Sequence, residues 1–422
     1  MEFKIEYVKA RQILDSRGNP TIEVEVKTKN AIGIASAPSG KSRGKNEAVE
    51  LRGGKSFHGK SVEPAIENVN KIISHALIGM DVREQEEIDK KMIAIDGTKN
   101  KALLGANACI ATSMAVSRCA ANALKKPLYL YLNEKAKLLP IPFMNVINGG
   151  VHAGNELAIQ EHLIAPVKAK SFRNAVEMAC ETYYSLKEII SSKYGKNATN
   201  VGDEGGFAPP LKDSFDALET MMKAVEENGY ENEIMLAIDS AASNFYKNGH
   251  YFLNKKMDSG ELIDYYVEMS KVYPIISIED GFHEEDWEAF VKLTERIGGK
   301  VQIVGDDLYV TNINRLKRGV EMGATNSILI KLNQIGTVTE TLETIEYAKT
   351  RGLTCIISHR SGETEDTFIA DLAVGTNAGM IKTGSLSRSE RIAKYNRLLR
   401  IEEELENVGE FRGLGSFYSI KR

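Results

Sequence analysis

The sequence predicts an α/β protein in which an N-terminal α+β domain, residues 1–135, precedes a C-terminal eight-stranded, TIM-like β/α barrel, residues 136–422. Two observations carry the barrel. Between Ile234 and Lys331, four short apolar runs stop on an ionisable residue: I-M-L-A-I-D at Asp239, I-I-S-I-E at Glu279, Q-I-V-G-D at Asp306 and S-I-L-I-K at Lys331. Near-continuous aliphatic runs of this length suit parallel strands buried on both faces, and each interval leaves room for a crossover helix. From Pro140 onward, strand-like and helix-like segments alternate over roughly 280 residues, the size of such a barrel with modest insertions. A third observation, strands first and helices after them, describes the α+β domain of roughly 125 to 135 residues.

The elements follow in order. Thr21-Ile22-Glu23-Val24-Glu25-Val26 alternates after the turn Asp15-Ser16-Arg17-Gly18-Asn19-Pro20, which predicts an antiparallel meander at the start of the chain. Ile66, Val69, Ile72, Ile73 and Leu77 then recur at helical spacing between Pro64 and Gly79, with Pro64 suited to a first helical turn. Two further helical segments reach Leu124. The second, from Leu103, comes nearest to a membrane span, but Asn107, Arg118 and Asn122 interrupt it, so it predicts a buried helix rather than a transmembrane segment. The polar segment Asn133 to Lys137 is the expected domain boundary.

Composition narrows the class of protein. The chain has 422 residues and 42% hydrophobic content, enough for sizeable cores. Lysine and arginine number 54 against 58 acids, for a formal charge of −4, and no long basic block interleaves with aromatics, so nucleic acid is not an expected partner. Cys109, Cys119, Cys180 and Cys355 have neither metal-ligand spacing nor disulfide density and read as buried small hydrophobes in a reducing cytosol. The opening M-E-F-K-I-E-Y shows no signal-peptide pattern, so a cytoplasmic location is expected.

If the four runs lie side by side, their carboxyl ends bring three acids and one lysine to the mouth where such folds place active sites. Three carboxylates that close require a cation, and a hard divalent ion such as Mg²⁺ suits an all-oxygen set. A lysine beside that ion could lose its proton near neutral pH and act as a base. For any single position the plainer reading is an acid capping a helix; four in succession favour a site.

The loops add to it. Asn148 to Asn155 is glycine-rich and precedes Gln160-Glu161, while Asn200 to Phe207 packs Asp203 and Glu204 between glycines. Ser358-His359-Arg360-Ser361 offers imidazole, guanidinium and hydroxyl together, a set suited to a phosphate ester. Lys382 stands at one more strand end. Pro38-Ser39-Gly40-Lys41-Ser42 looks like the end of a P-loop, but the first glycine of that motif would fall on Ala35, so an NTPase is not expected.

These loops carry a resemblance to the enolase family over nearly the whole chain, in D-S-R-G-N-P, D-G-T-K-N-K followed by L-G-A-N-A, N-V-I-N-G-G, V-G-D-E-G-G-F-A-P, D-D-L-Y-V-T-N, I-K-L-N-Q-I-G and S-H-R-S-G-E-T-E-D-T-F-I-A-D. The resemblance implies the family's barrel variant, irregular in its first turn. It also implies reversible dehydration of 2-phosphoglycerate to phosphoenolpyruvate with two Mg²⁺ per site, the second arriving with substrate. Carried over by position, Asp239, Glu279 and Asp306 hold the first ion and Ser39 reaches the second. Lys331 removes the C2 proton, Glu204 protonates the departing hydroxyl, and Glu161 assists it, with His359 also among the catalytic set. His152, Gln160, Glu161, Lys331, His359, Arg360, Ser361 and Lys382 match substrate-contacting positions.

The chemistry accounts for the set. Deprotonation beside a carboxylate builds further negative charge, which divalent ions and Lys382 can stabilise, and hydroxide leaves only when a protonated acid stands opposite the base. Glu161 and Glu204 can share that proton. Two departures stand out. Lys41 and Arg43 replace small or hydroxyl residues in the Ser39 loop and add positive charge near an anionic substrate, and Gly281 replaces a proline, loosening the turn after Glu279-Asp280. The resemblance further implies a homodimer or octamer. Two alternatives are compatible with the sequence: a related dehydratase acting on another hydroxy acid, and a moonlighting surface-binding role with a secondary cell-surface or secreted pool, to which Lys421-Arg422 could contribute.

Overall fold

The computed structural model describes residues 2–41 and 43–421, so Ser42 of the P-loop-like run and Arg422 of the terminal basic pair lie outside the described residues. The chain opens with an antiparallel meander of β1 (Tyr7–Leu14), β2 (Pro20–Lys27) and β3 (Ile32–Ser36). Its first turn is closed by Asp15, whose Oδ1 accepts the backbone N–H groups of Arg17 and Asn19, both at 2.9 Å. The helical spacing from Pro64 appears as α1 (Glu63–Asn68) and α2 (Ser74–Leu77), joined through a wider turn at Val69–Ile73. Then come α3 (Gln85–Asp96), α4 (Ala106–Ala123) and α5 (Leu128–Leu132). The small residues of α4 let it press onto the meander: a Cβ added to Gly33 would stand 2.1 Å from the Ala115 carbonyl oxygen. Among the described residues no helix is long and apolar enough to cross a membrane.

The barrel begins with β4 (Ile141–Asn148) and β5 (Glu161–Ala165), followed by α6 (Phe172–Tyr194), α7 (Ser214–Glu227) and β6 (Met235–Asp239). A small three-stranded insert, β7 (Tyr246–Lys247), β8 (His250–Phe252) and β9 (Lys256–Met257), leads to α8 (Ser259–Val272). Regular alternation then sets in with β10 (Ile275–Glu279), α9 (Trp287–Ile297), β11 (Gln302–Gly305), α10 (Ile313–Met322) and β12 (Ser327–Ile330). The remainder is α11 (Leu332–Ile335), α12 (Val338–Thr350), β13 (Thr354–Ser358), α13 (Phe368–Gly375), β14 (Met380–Lys382) and α14 (Ser389–Leu405).

Eight strands close in the order β10-β11-β12-β13-β14-β4-β5-β6. The barrel is not wholly parallel: β5 runs antiparallel to both β4 and β6, while the four charge-terminated strands are parallel neighbours. The irregular first turn implied by the family resemblance is therefore present. Strand side chains alternate between faces, so every second residue enters the barrel. Leu163, Ala237, Val304, Leu329 and Met380 fill the interior, each two places from a site residue: Glu161, Asp239, Asp306, Lys331 and Lys382. The apolar plug thus stops where the chemistry starts.

The two parts of the chain are joined at α12, whose first turn is capped by N-terminal residues. Ser113 Oγ accepts the Val338 N–H at 2.9 Å, and Asp89 Oδ2 accepts the Thr339 N–H at 3.0 Å and its hydroxyl at 2.6 Å. Above the barrel mouth, Ser39 and Gly362 exchange two backbone hydrogen bonds of 2.8 Å, which seats the Ser39 loop on the loop after β13.

Candidate active site

The mouth gathers most of the predicted residues into one polar cavity, lined among others by His152, Gln160, Glu161, Glu204, Asp239 and Asp306 together with Lys331, His359, Arg360, Ser361 and Lys382. Glu279 joins them through Lys382. That ammonium donates to Asp239 Oδ2 at 2.8 Å and to both Glu279 oxygens at 2.9 and 2.8 Å, and it lies 3.2 Å from Glu161 Oε2. Lys331 Nζ is bonded to Asp306 Oδ2, and Gln334 Nε2 donates to Asp306 Oδ1 at 2.9 Å.

Ser39 is not brought into the cavity. Its hydroxyl donates to Glu50 at 3.1 Å and accepts from Arg52 at 3.3 Å. The Arg360 fork that the sequence offers to a phosphate is closed on Glu47, with three nitrogen-to-oxygen contacts of 3.0 Å to Glu47 and Asn333. The added charges of the Ser39 loop are compensated here: Lys41 pairs with Asp203 at 2.8 Å and Arg43 pairs with Glu50. They do not present two uncancelled charges to a substrate. Nor is the Gly281 turn free, since its carbonyl accepts from the buried Tyr266 hydroxyl at 3.0 Å.

The side chains around Lys331 favour its charged form. Burial draws the Lys331 ammonium down, but the Asp306 carboxylate more than offsets it and holds the group above the usual lysine range. By its side-chain surroundings alone this lysine keeps its proton. Glu279, conversely, is pushed well above the carboxylate range by burial and then by the Asp239 charge, although a lysine bonds both its oxygens. The cluster is short of positive charge, and its donors are hard oxygens, so a divalent cation at Asp239, Glu279 and Asp306 fits the residues present.

Two tighter groups of metal-capable atoms, each within 4.8 Å, also occur: His152, Glu161 and Glu204, and Asp280, Asp306 and Asp307. In the second, Asp280 has both oxygens occupied by backbone, accepting the Asp306 and Asp307 N–H groups at 2.8 Å each. It acts as a clamp on the start of the Asp306 loop.

On the far side, Glu204 Oε2 lies 3.3 Å from His359 Nε2 and accepts from Asn145 at 3.2 Å, and its Oε1 lies 3.5 Å from His152 Nδ1. Gly205, at φ +87° and with no room for a Cβ beside the Ser387 carbonyl at 2.5 Å, makes the turn that aims Glu204 inward. Burial raises Glu161 well above the carboxylate range, helped by the Glu204 charge. Burial also opposes ionisation of Glu204, and the imidazoles whose charge would hold it down are themselves driven toward neutrality by burial, His359 to about 4. Of the two carboxyls, Glu161 is therefore the one that favours the protonated form.

The sequence did not point to Asp280, Gln334, Glu47 or Arg391, each of which bonds a site residue from a distant or unmarked position. For Arg391 a signal existed: it and Lys394 sit three apart on the buried stripe of α14, where a cation needs a reason to be.

Residues 5–132 match the enolase N-terminal domain family and residues 136–420 the enolase C-terminal TIM barrel domain family. The enolases of Thermococcus gammatolerans and Pyrococcus furiosus are 57% and 56% identical to the chain over 418 residues, covering 97% of this chain and 97% of each relative. The chain belongs to the enolase family. It is a lyase of glycolysis that dehydrates 2-phosphoglycerate, and the eight-stranded mixed barrel is that family's C-terminal domain.

Proposed function

We propose that the dehydration is divided across the barrel mouth between Lys331 as base and the Glu204–Glu161 pair as acid. One observation carries this reading: in the closed ring β12 and β5 are four strands apart in either direction, so Lys331 and Glu161 face each other across the mouth. The arc through β6, β10 and β11 bears Asp239, Glu279 and Asp306. The other arc, through β13, β14 and β4, bears His359, Lys382 and Asn145. A substrate between them meets a base on one side, an acid on the other and fixed charge around its rim.

Asp239, Glu279 and Asp306 would hold one Mg²⁺ and Ser39, once turned from Glu50, would contribute to a second; when bound, the ions supply positive charge to the substrate carboxylate. Lys331 gives up its own proton to solvent once its pairing with Asp306 relaxes and, as the neutral amine, takes the C2 proton. Lys382 adds a fixed positive charge near the same carboxylate. Glu204 then protonates the hydroxyl at C3 with a proton handed on from Glu161, while His359 Nε2–H steadies the carboxylate left behind. His152 and Gln160 orient the substrate from the β4–β5 side, and Ser361 and Arg360, released from Glu47, take the phosphate.

We place the domains at 1–135 and 136–422 and expect a cytoplasmic homo-oligomer, dimer or octamer.

Separating the two half-reactions tests the assignment. Glu204→Gln should still exchange the C2 hydrogen of 2-phosphoglycerate with deuterium while forming almost no phosphoenolpyruvate; Lys331→Ala should do neither. Each should cost roughly 10²–10⁴-fold in turnover. Rapid C2 exchange in Lys331→Ala would overturn the base. Turnover of 2-phosphoglycerate without any of glycerate separates this activity from that of a dehydratase acting on an unphosphorylated acid.

A further inference from the structure

Helix α14 supports the site from behind. Its fully buried Arg391 donates from Nη1 to His359 Nδ1 and to the Arg360 carbonyl, both at 2.7 Å. From Nη2 it donates to the Ser361 carbonyl at 2.6 Å and the Asp203 carbonyl at 3.1 Å. One turn on, buried Lys394 donates to Glu363 Oε2 at 2.8 Å and to the Thr364 carbonyl at 2.6 Å. Two cations on one helix face thus grip the loop that carries His359, Arg360 and Ser361.

The contact with His359 fixes chemistry as well as position. A guanidinium has donors only, so His359 Nδ1 must be the bare, accepting nitrogen, and a neutral ring then carries its proton on Nε2. Nε2 has no hydrogen-bond partner among the described residues, and Glu204 Oε2 lies 3.3 Å from it. The opposite tautomer would set a nitrogen lone pair against a carboxyl oxygen.

We propose that Arg391 is a positioning residue that locks His359 as the Nε2–H tautomer directed at Glu204, while its second arm holds the Asp203 loop in register with Ser361. An N–H aimed at Glu204 stabilises its carboxylate, the form that exists after the proton has gone to the departing hydroxide. Arg391 therefore acts on the hydroxide step and not on C2 proton removal. The inference rests on the reading of Glu204 as the acid.

The test is long-range proton–nitrogen NMR on ¹⁵N-histidine-labelled wild type, Arg391→Lys and Arg391→Met, with the His359 signals identified by their loss in His359→Gln. Wild type should show Nε2 protonated and Nδ1 bare. Arg391→Met, which keeps an unbranched buried chain but no donor, should convert His359 to a tautomer mixture. It should also lower kcat about 10²-fold with C2 deuterium exchange retained, and Arg391→Lys should recover part of both. An Nδ1–H tautomer in the wild type overturns the proposal whether or not a variant folds. Equally, if Arg391→Met loses exchange and turnover together with the tautomer unchanged, Arg391 merely supports the loop and the proposal fails. Full turnover in Glu204→Gln would instead sink the acid assignment, and the tautomer spectrum would still judge Arg391 separately.

Discussion

Replacing Asp280 discriminates between a clamp and a metal ligand at the mouth of the barrel. Asp280 accepts the backbone N–H groups of Asp306 and Asp307, at 2.8 Å each, and all three residues are buried. Asp280→Ala leaves two buried donors without acceptors, at about 1–3 kcal/mol apiece, or about 2–6 kcal/mol together. Alanine also suits the φ of +42° at this position less well than Asp or Asn. Asp280→Asn keeps one acceptor for Asp306 but turns an amide N–H toward Asp307, so it should cost about 1–3 kcal/mol. Part of that is offset because burial and the Asp307 charge already hold the Asp280 carboxyl well above its usual range, so the substitution removes an unfavourable buried charge. A clamp acts on the metal only through the Asp306 backbone, and its loss should weaken Mg²⁺ binding about 10- to 100-fold. Guanidinium unfolding, titration calorimetry with Mg²⁺ and a phosphoenolpyruvate assay read the three quantities. The clamp is refuted if Asp280→Ala stays within about 1 kcal/mol of wild type with unchanged Mg²⁺ affinity. Asp280 is a ligand instead if Asp280→Asn abolishes Mg²⁺ binding as completely as loss of Asp306 while unfolding like wild type.

The remaining predictions concern charge. Asp306→Ala should lose measurable Mg²⁺ binding and turnover yet stay folded, because one fewer carboxylate reduces repulsion in the cluster; calorimetry with normal Mg²⁺ affinity would refute its role as ligand. Lys41→Ala leaves Asp203 uncompensated at the mouth, so KM should rise at low salt with kcat little changed, and the difference should fade as salt screens it. An unchanged KM at low salt would show the pair to be irrelevant to binding. His162 is fully buried, neither ring nitrogen has a side-chain hydrogen-bond partner among the described residues, and burial lowers it from 6.5 to about 4 against a smaller opposing effect of the Ile147 backbone. The unfolded chain thus binds the proton first, and this residue makes stability fall as pH drops from 6.5 toward 4, by about 3 kcal/mol in all. Unfolding curves of His162→Leu should show a shallower loss than wild type across that window; parallel curves would refute the contribution.

What the sequence determined by itself was where strands end and what ends them. A run such as I-I-S-I-E carries its own period and its own terminal charge, so Asp239, Glu279, Asp306 and Lys331 could be placed at the mouth from local pattern alone. The buried α4 and the antiparallel meander were legible for the same reason, each being an arrangement of neighbours along the chain. Tertiary structure decided what depends on neighbours in space. The reversed β5 was not readable from its residues, because side-chain alternation is the same in either strand direction and only pairing with β4 and β6 sets it. The charged form of Lys331, the raised Glu161 carboxyl beside Glu204, the closure of Arg360 on Glu47 and the grip of Arg391 on His359 all arise from groups far apart in sequence. The field at a buried group is summed over everything within a few ångströms, and that sum exists only once the barrel has closed.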